Sequence, residues 1–97
     1  MAADFIEPAS AVIFGKTWCG FSTMAKSILE KSGASYTSVE LDLRGDGAAI
    51  QQELADLTGQ TTVPSVWIGG KFVGGFSELS GLSPEKLTEM LKEAGSL

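Results

Sequence analysis

The sequence predicts a single α/β domain over residues 1–97, built as a four-stranded mixed sheet with helices on both faces. Three observations carry this. Ala11-Val12-Ile13-Phe14 is an apolar run with no polar alternation, which suits a strand buried on both sides. Apolar residues then recur at helical spacing in three later segments, at residues 21–29, 50–57 and 87–94. Gly69-Gly70 sits between two short apolar runs, the composition of a two-residue hairpin turn. A chain of 97 residues is long enough for one modest core and too short for two domains.

Taken in order, Asp4 to Ser10 reads as a short helical or irregular lead-in, and the first strand, Ala11–Phe14, is closed by Gly15. A helix opens at Cys19, with Phe21, Met24, Ala25, Ile28 and Leu29 on one stripe and Gly33 set to end it. Val39, Leu41 and Leu43 alternate with Ser38, Glu40 and Asp42, the pattern of a second strand. The next helix carries Ile50, Leu54 and Leu57 on one stripe and stops at Gly59. Beyond Pro64, Ser65–Ile68 and Lys71–Val73 form the hairpin around Gly69-Gly70. The last helix takes Ser83 as N-cap and Pro84 as its first residue, turns Leu87, Met90, Leu91 and Ala94 inward, and ends at Gly95. The order β-α-β-α-β-β-α implies right-handed parallel crossovers followed by an antiparallel pair, which is the thioredoxin-like arrangement.

Composition narrows the chemistry. With 43% hydrophobic and 20% charged residues the chain has the make-up of an ordinary soluble domain, and no apolar run approaches the roughly 20 residues that cross a bilayer. A net charge of −5 argues against nucleic-acid and anionic-membrane partners, which call for a basic surface. Met1-Ala2-Ala3-Asp4 lacks the basic and apolar regions of a secretory signal, so a cytoplasmic chain is expected, with an organelle after loss of a transit peptide as the alternative. There is no histidine, which excludes a Cys–His or Ser–His nucleophile pair. One cysteine excludes an intrachain disulfide and a protein-only zinc site of the usual kind.

By burial tendency alone a lone cysteine is a small hydrophobe. Cys19 is placed differently, one short loop beyond a buried strand and at the start of an amphipathic helix. Unpartnered N–H groups and the positive dipole end stabilise a thiolate there. A free thiol of pKa about 8.5 is only about 3% ionised at pH 7, and such sites are lowered to roughly 3.5–7.5. Lys16 is the nearest cation, and Gly20 gives close access to the sulfur.

Lys16-Thr17-Trp18-Cys19-Gly20-Phe21-Ser22 resembles the active-site segment of the glutaredoxins, Thr62-Val63-Pro64 resembles their TVP loop, and Gly74-Gly75-Phe76-Ser77-Glu78 resembles their GG-x-S-D segment. Gln60 stands two residues before the Thr of that loop, where many members of the family carry glutamine. The resemblance implies a glutathione groove, with Cys19 as nucleophile and mixed-disulfide partner. Lys16 and Gln60 would hold the glycine carboxylate, and the Val63 backbone would pair with the tripeptide before a cis Pro64. The N–H groups of Phe76 and Ser77, with the Ser77 hydroxyl, would receive the γ-glutamyl carboxylate at another helix start. Glu78 replaces the usual aspartate that contacts the γ-glutamyl ammonium. Thr62 and Gly75 complete the glutathione-binding set together with Trp18 and Phe21, which, like Trp67, read as core or groove walls rather than specific contacts.

Two departures from the family pattern bear on mechanism. Ser22 occupies the place of the resolving thiol, so no internal disulfide can form and a monothiol route through Cys19 remains. Cys-Gly-Phe-Ser is also the tetrapeptide of the monothiol members that carry iron–sulfur clusters, yet those have an insertion between lysine and cysteine, and here only Thr17 and Trp18 intervene. The resemblance thus implies a glutathione-dependent oxidoreductase, monomeric in its apo form, that reduces glutathionylated proteins. A second reading is a [2Fe–2S] carrier in which two copies of Cys19 and two glutathiones supply four ligands across a homodimer. A third, an interaction module without chemistry, is disfavoured by the intact set of groove residues.

Overall fold

The computed structural model describes residues 1–97. Its central strand, β1 (Ala11–Gly15), is buried along its whole length, as an unbroken apolar run requires. β1 pairs in parallel with β2 (Thr37–Glu40) and antiparallel with β3 (Ser65–Ile68), and β3 pairs antiparallel with β4 (Lys71–Gly74). The sheet order is β2-β1-β3-β4. Helices α1 (Ala3–Ile6), α2 (Gly20–Lys31), α3 (Gly47–Thr58), α4 (Phe76–Ser80) and α5 (Pro84–Ala94) cover it on both sides. This is the thioredoxin-like arrangement expected from the sequence.

Side-chain alternation along β1 divides the core in two. Ala11 and Ile13 face a layer built with Ala25 and Leu29 of α2, Leu79 of α4, and Leu87 and Leu91 of α5. Val12 and Phe14 face the opposite layer, with Ile6, Val39, Leu41, Ile50 and Leu54. Each aliphatic or aromatic side chain so buried contributes roughly 1.5–3 kcal/mol relative to exposure. Both layers depend on β1, so the loop leaving its C-terminal end starts from a strand packed on both faces.

The β3–β4 turn needs left-handed backbone at both central residues, and Gly69 and Gly70 supply it at φ 60° and 77°. The last helix starts as its sequence dictates, with the Ser83 hydroxyl accepting the Lys86 N–H at 3.1 Å and Pro84 at its first position. No helix is long and apolar enough to cross a membrane.

Three expectations are corrected. The second strand ends at Glu40, and Leu41–Leu43 form a 3₁₀ turn in which Leu41 is buried and Leu43 is 73% exposed. The Leu41 carbonyl closes on Gly47 at the start of α3, so tightly that a Cβ on Gly47 would lie 1.8 Å from the oxygen. Two alternating leucines do not distinguish that turn from a strand. On α2 the buried face is Ser22, Ala25 and Leu29, while Phe21 and Met24 are exposed, as is Leu57 on α3. The element order read from periodicity also omits α4, whose five residues are too few to show a helical period; only the family resemblance implies a helix start at Phe76 and Ser77, where α4 begins.

Candidate active site

The loop from β1 to α2 is short and tied at three points. The Cys19 N–H donates to the Lys16 carbonyl at 3.1 Å, closing a turn. The Lys16 N–H donates to the Ser22 hydroxyl oxygen at 3.4 Å. Thr17 donates twice to the carboxylate of Asp42, its N–H to Oδ1 at 3.0 Å and its hydroxyl to Oδ2. The Lys16 ammonium lies 5.3 Å from the centroid of the Trp18 ring, a cation–π contact at the surface.

Cys19 stands at the N-cap of α2 with extended backbone, φ −89° and ψ 115°, and its thiol is half-buried. Its pKa lies below the ordinary value. The Ser22 hydroxyl is the largest cause, opposed by desolvation, and is followed by the Ser22 and Phe21 N–H groups and then the Lys16 charge. Ser22 is fully buried beneath the thiol. It fits there because residue 15 has no side chain: a Cβ on Gly15 would lie 2.8 Å from the Ser22 oxygen. With that oxygen accepting from Lys16, its proton is left for the sulfur. Ser22→Ala is therefore expected to move the pH midpoint of Cys19 alkylation by iodoacetamide upward. An unmoved midpoint would leave the helix end and Lys16 as the only stabilisers of the thiolate.

Beside this loop lies an open groove of about 190 Å³ lined by Phe21, Gln60, Thr62, Val63, Pro64, Gly75, Phe76, Ser77 and Glu78. Three separate segments thus converge: the first turn of α2, the loop before β3 and the start of α4. The Phe21 and Phe76 rings pack at 5.5 Å between centroids, joining α2 to α4. The Val63–Pro64 peptide bond is cis. Gln60 Nε2 donates to the carbonyls of Thr62 and Pro64, both at 2.9 Å, so both amide protons are engaged in shaping this loop. Contact with a ligand carboxylate would require one of these bonds to be exchanged. Glu78 Oε1 accepts the Gly75 N–H at 2.7 Å, so the longer side chain folds back over the start of α4 as a cap.

Nine of the expected residues line this groove. Lys16, Trp18 and Cys19 lie on the adjoining loop, and Trp18, expected in a groove wall, is 72% exposed. Sequence reasoning missed two contributors. Ser22 was significant in the sequence only as an absent thiol, and Asp42 as the polar face of a strand. A larger concavity, about 540 Å³, runs along the outer flank of α5 between Pro84 and Glu93; it carries no thiol. No three His, Cys, Asp or Glu side chains converge as a metal site would need.

Comparison with known proteins agrees with this geometry. The family model described as Glutaredoxin matches residues 11–73. The glutaredoxin of Vernicia fordii is 42% identical over 97 residues, covering 99% of this chain and 93% of that protein. Glutaredoxin-C2 of Arabidopsis thaliana is also 42% identical over 97 residues, covering 99% of this chain and 87% of that protein. Among solved structures, that of the buckwheat glutaredoxin–glutathione complex superposes with a TM-score of 0.94 at 40% identity, covering 99% of this chain and 88% of that one. The chain belongs to the glutaredoxin family of thiol oxidoreductases.

Proposed function

We propose that this protein reduces glutathione mixed disulfides by a monothiol route through Cys19. The observation that carries the reading is a single thiol at a helix N-cap, with a buried hydroxyl beneath it where a resolving thiol would be, beside an open groove lined by three converging segments. In the first step the Cys19 thiolate attacks the glutathione sulfur of a protein–glutathione disulfide. The protein thiolate leaves and takes a proton, and Cys19 holds glutathione as a mixed disulfide. In the second step a glutathione thiolate attacks the glutathione sulfur of that adduct, releasing glutathione disulfide and the Cys19 thiolate. Protein–SSG and glutathione thus become protein thiol and glutathione disulfide. The groove orients the adduct so that this sulfur is the one attacked. Lys16 faces the glycine carboxylate, Val63 pairs with the peptide backbone, and the start of α4 takes the γ-glutamyl end.

The same thiol supports a second activity, ligation of a [2Fe–2S] cluster in a homodimer. Gly20 favours it, because the residue after the thiol has no side chain and no atom of a more distant residue lies within 4 Å of the position a Cβ would take. One chain offers one thiolate, so two chains and two glutathiones would make up the four ligands. The deciding experiment sets turnover on a glutathionylated peptide beside the ultraviolet–visible spectrum after anaerobic reconstitution with iron, sulfide and glutathione. Turnover by the apo monomer is expected, with a coloured dimer inactive until the cluster is lost. A colourless monomer under excess glutathione would remove the second activity, and absent turnover would remove the first.

A further inference from the structure

Asp42 lies outside the groove and is not among the expected site residues, yet it is the one side chain that holds the active-site loop by two hydrogen bonds. In the β1–β2 ladder Val12 pairs with Thr37, Ile13 with Ser38, Phe14 with Val39 and Gly15 with Glu40. Thr17 and Asp42, 25 residues apart, keep the same offset beyond the end of that ladder. There the backbone of β2 has already turned away into the 3₁₀ segment, and the Asp42 carboxylate takes the place of the missing carbonyl. It accepts both the N–H and the hydroxyl of Thr17. Bonds to a charged acceptor are stronger than neutral ones, and two to one side chain fix direction as well as distance. Those bonds hold the Asp42 carboxyl below the usual carboxylate range, the Thr17 hydroxyl first among the causes.

We propose that Asp42 is a positioning residue for thiol transfer, which holds Thr17 in register with the sheet and so sets Lys16 and Cys19 relative to one another. Thr17 adjoins Lys16, and only Trp18 separates it from Cys19, so fixing it constrains both. A small alkylating agent needs only the thiolate. A glutathione substrate needs the thiolate and the cation at one spacing, and is sensitive to this grip.

The inference rests on the proposed transfer activity, and the test separates the two. Turnover on a glutathionylated peptide and iodoacetamide alkylation are measured for wild type, Asp42→Ala, Thr17→Val, Thr17→Ser and the Thr17→Val/Asp42→Ala double variant. Asp42→Ala is expected to lower kcat/KM about fivefold, the range of an exposed charged contact. Thr17→Ser, which keeps both donors, should match wild type, and Thr17→Val should fall between the two. The double variant should be no worse than Asp42→Ala alone, since both remove one interaction. Thr17→Val, which keeps the Asp42 charge, should alkylate at the wild-type rate, whereas general damage to the thiol site would slow both reactions. An active wild type beside an equally active Asp42→Ala, or additive losses in the double variant, would overturn the positioning role alone. An inactive wild type would overturn the transfer reading and this role with it.

Discussion

Cys19→Ser is expected to bring thiol transfer down to the uncatalysed background while leaving the protein folded. No other thiol exists in the chain, so no second residue can take up the substrate's glutathione. The fold should tolerate the change well. Cys19 is the N-cap of α2 and makes no side-chain capping bond, and serine is among the preferred residues at that position. Thermal unfolding should therefore stay at or slightly above the wild-type midpoint, which separates loss of chemistry from loss of structure. Turnover near the wild-type rate in a folded Cys19→Ser protein would refute the assignment of the nucleophile.

Reversing the charge at Lys16 has the next largest expected effect. Lys16→Glu should raise KM for glutathione about tenfold, roughly 1.4 kcal/mol. A carboxylate would then face the glycine carboxylate of the tripeptide, and a favourable contact becomes a repulsive one. The Lys16 ammonium sits at the surface against the exposed Trp18 ring, so solvent and salt screen the contact. The penalty should accordingly shrink as ionic strength rises, and Lys16→Gln should give a smaller, less salt-dependent increase. Lys16 is also the smallest of the causes that lower the Cys19 pKa, so the alkylation midpoint should rise in Lys16→Glu as well. Glutathione kinetics that ignore both the substitution and the salt would take Lys16 out of the binding site.

Local order and pairwise geometry differed in how far the sequence disclosed them. β1 was legible because a strand covered on both faces needs an unbroken apolar run, and Ala11–Phe14 admits few other readings. The hairpin and the start of α5 were legible because Gly69-Gly70 and Ser83-Pro84 satisfy backbone demands that few other residues meet. The phase of α2 was not. Phe21 and Met24 look like core in a linear pattern, but Phe21 is a wall of the groove and Met24 is exposed, and an apolar side chain can serve either place. The 3₁₀ turn at Leu41–Leu43 depends on how closely Gly47 approaches, a tertiary fact with no periodic signature.

At the site, the sequence named the thiol and the segments of the groove, because these lie in short stretches with recognisable residues. It could not show how polar groups pair across the fold. The bonds from Thr17 to Asp42 and the seat of Ser22 beneath Cys19 bring together residues whose types are ordinary on any surface. The two amide bonds of Gln60 and the fold-back of Glu78 are rotamer choices, invisible in a linear pattern.

The monothiol cycle stands or falls on one intermediate, and intact mass spectrometry of the acid-quenched enzyme sees it directly. After incubation with glutathione disulfide the chain should carry a single glutathionyl adduct, mapped to Cys19. Added glutathione should remove it at least as fast as steady-state turnover. Turnover with no adduct on Cys19, or an adduct that glutathione does not release, would contradict the account.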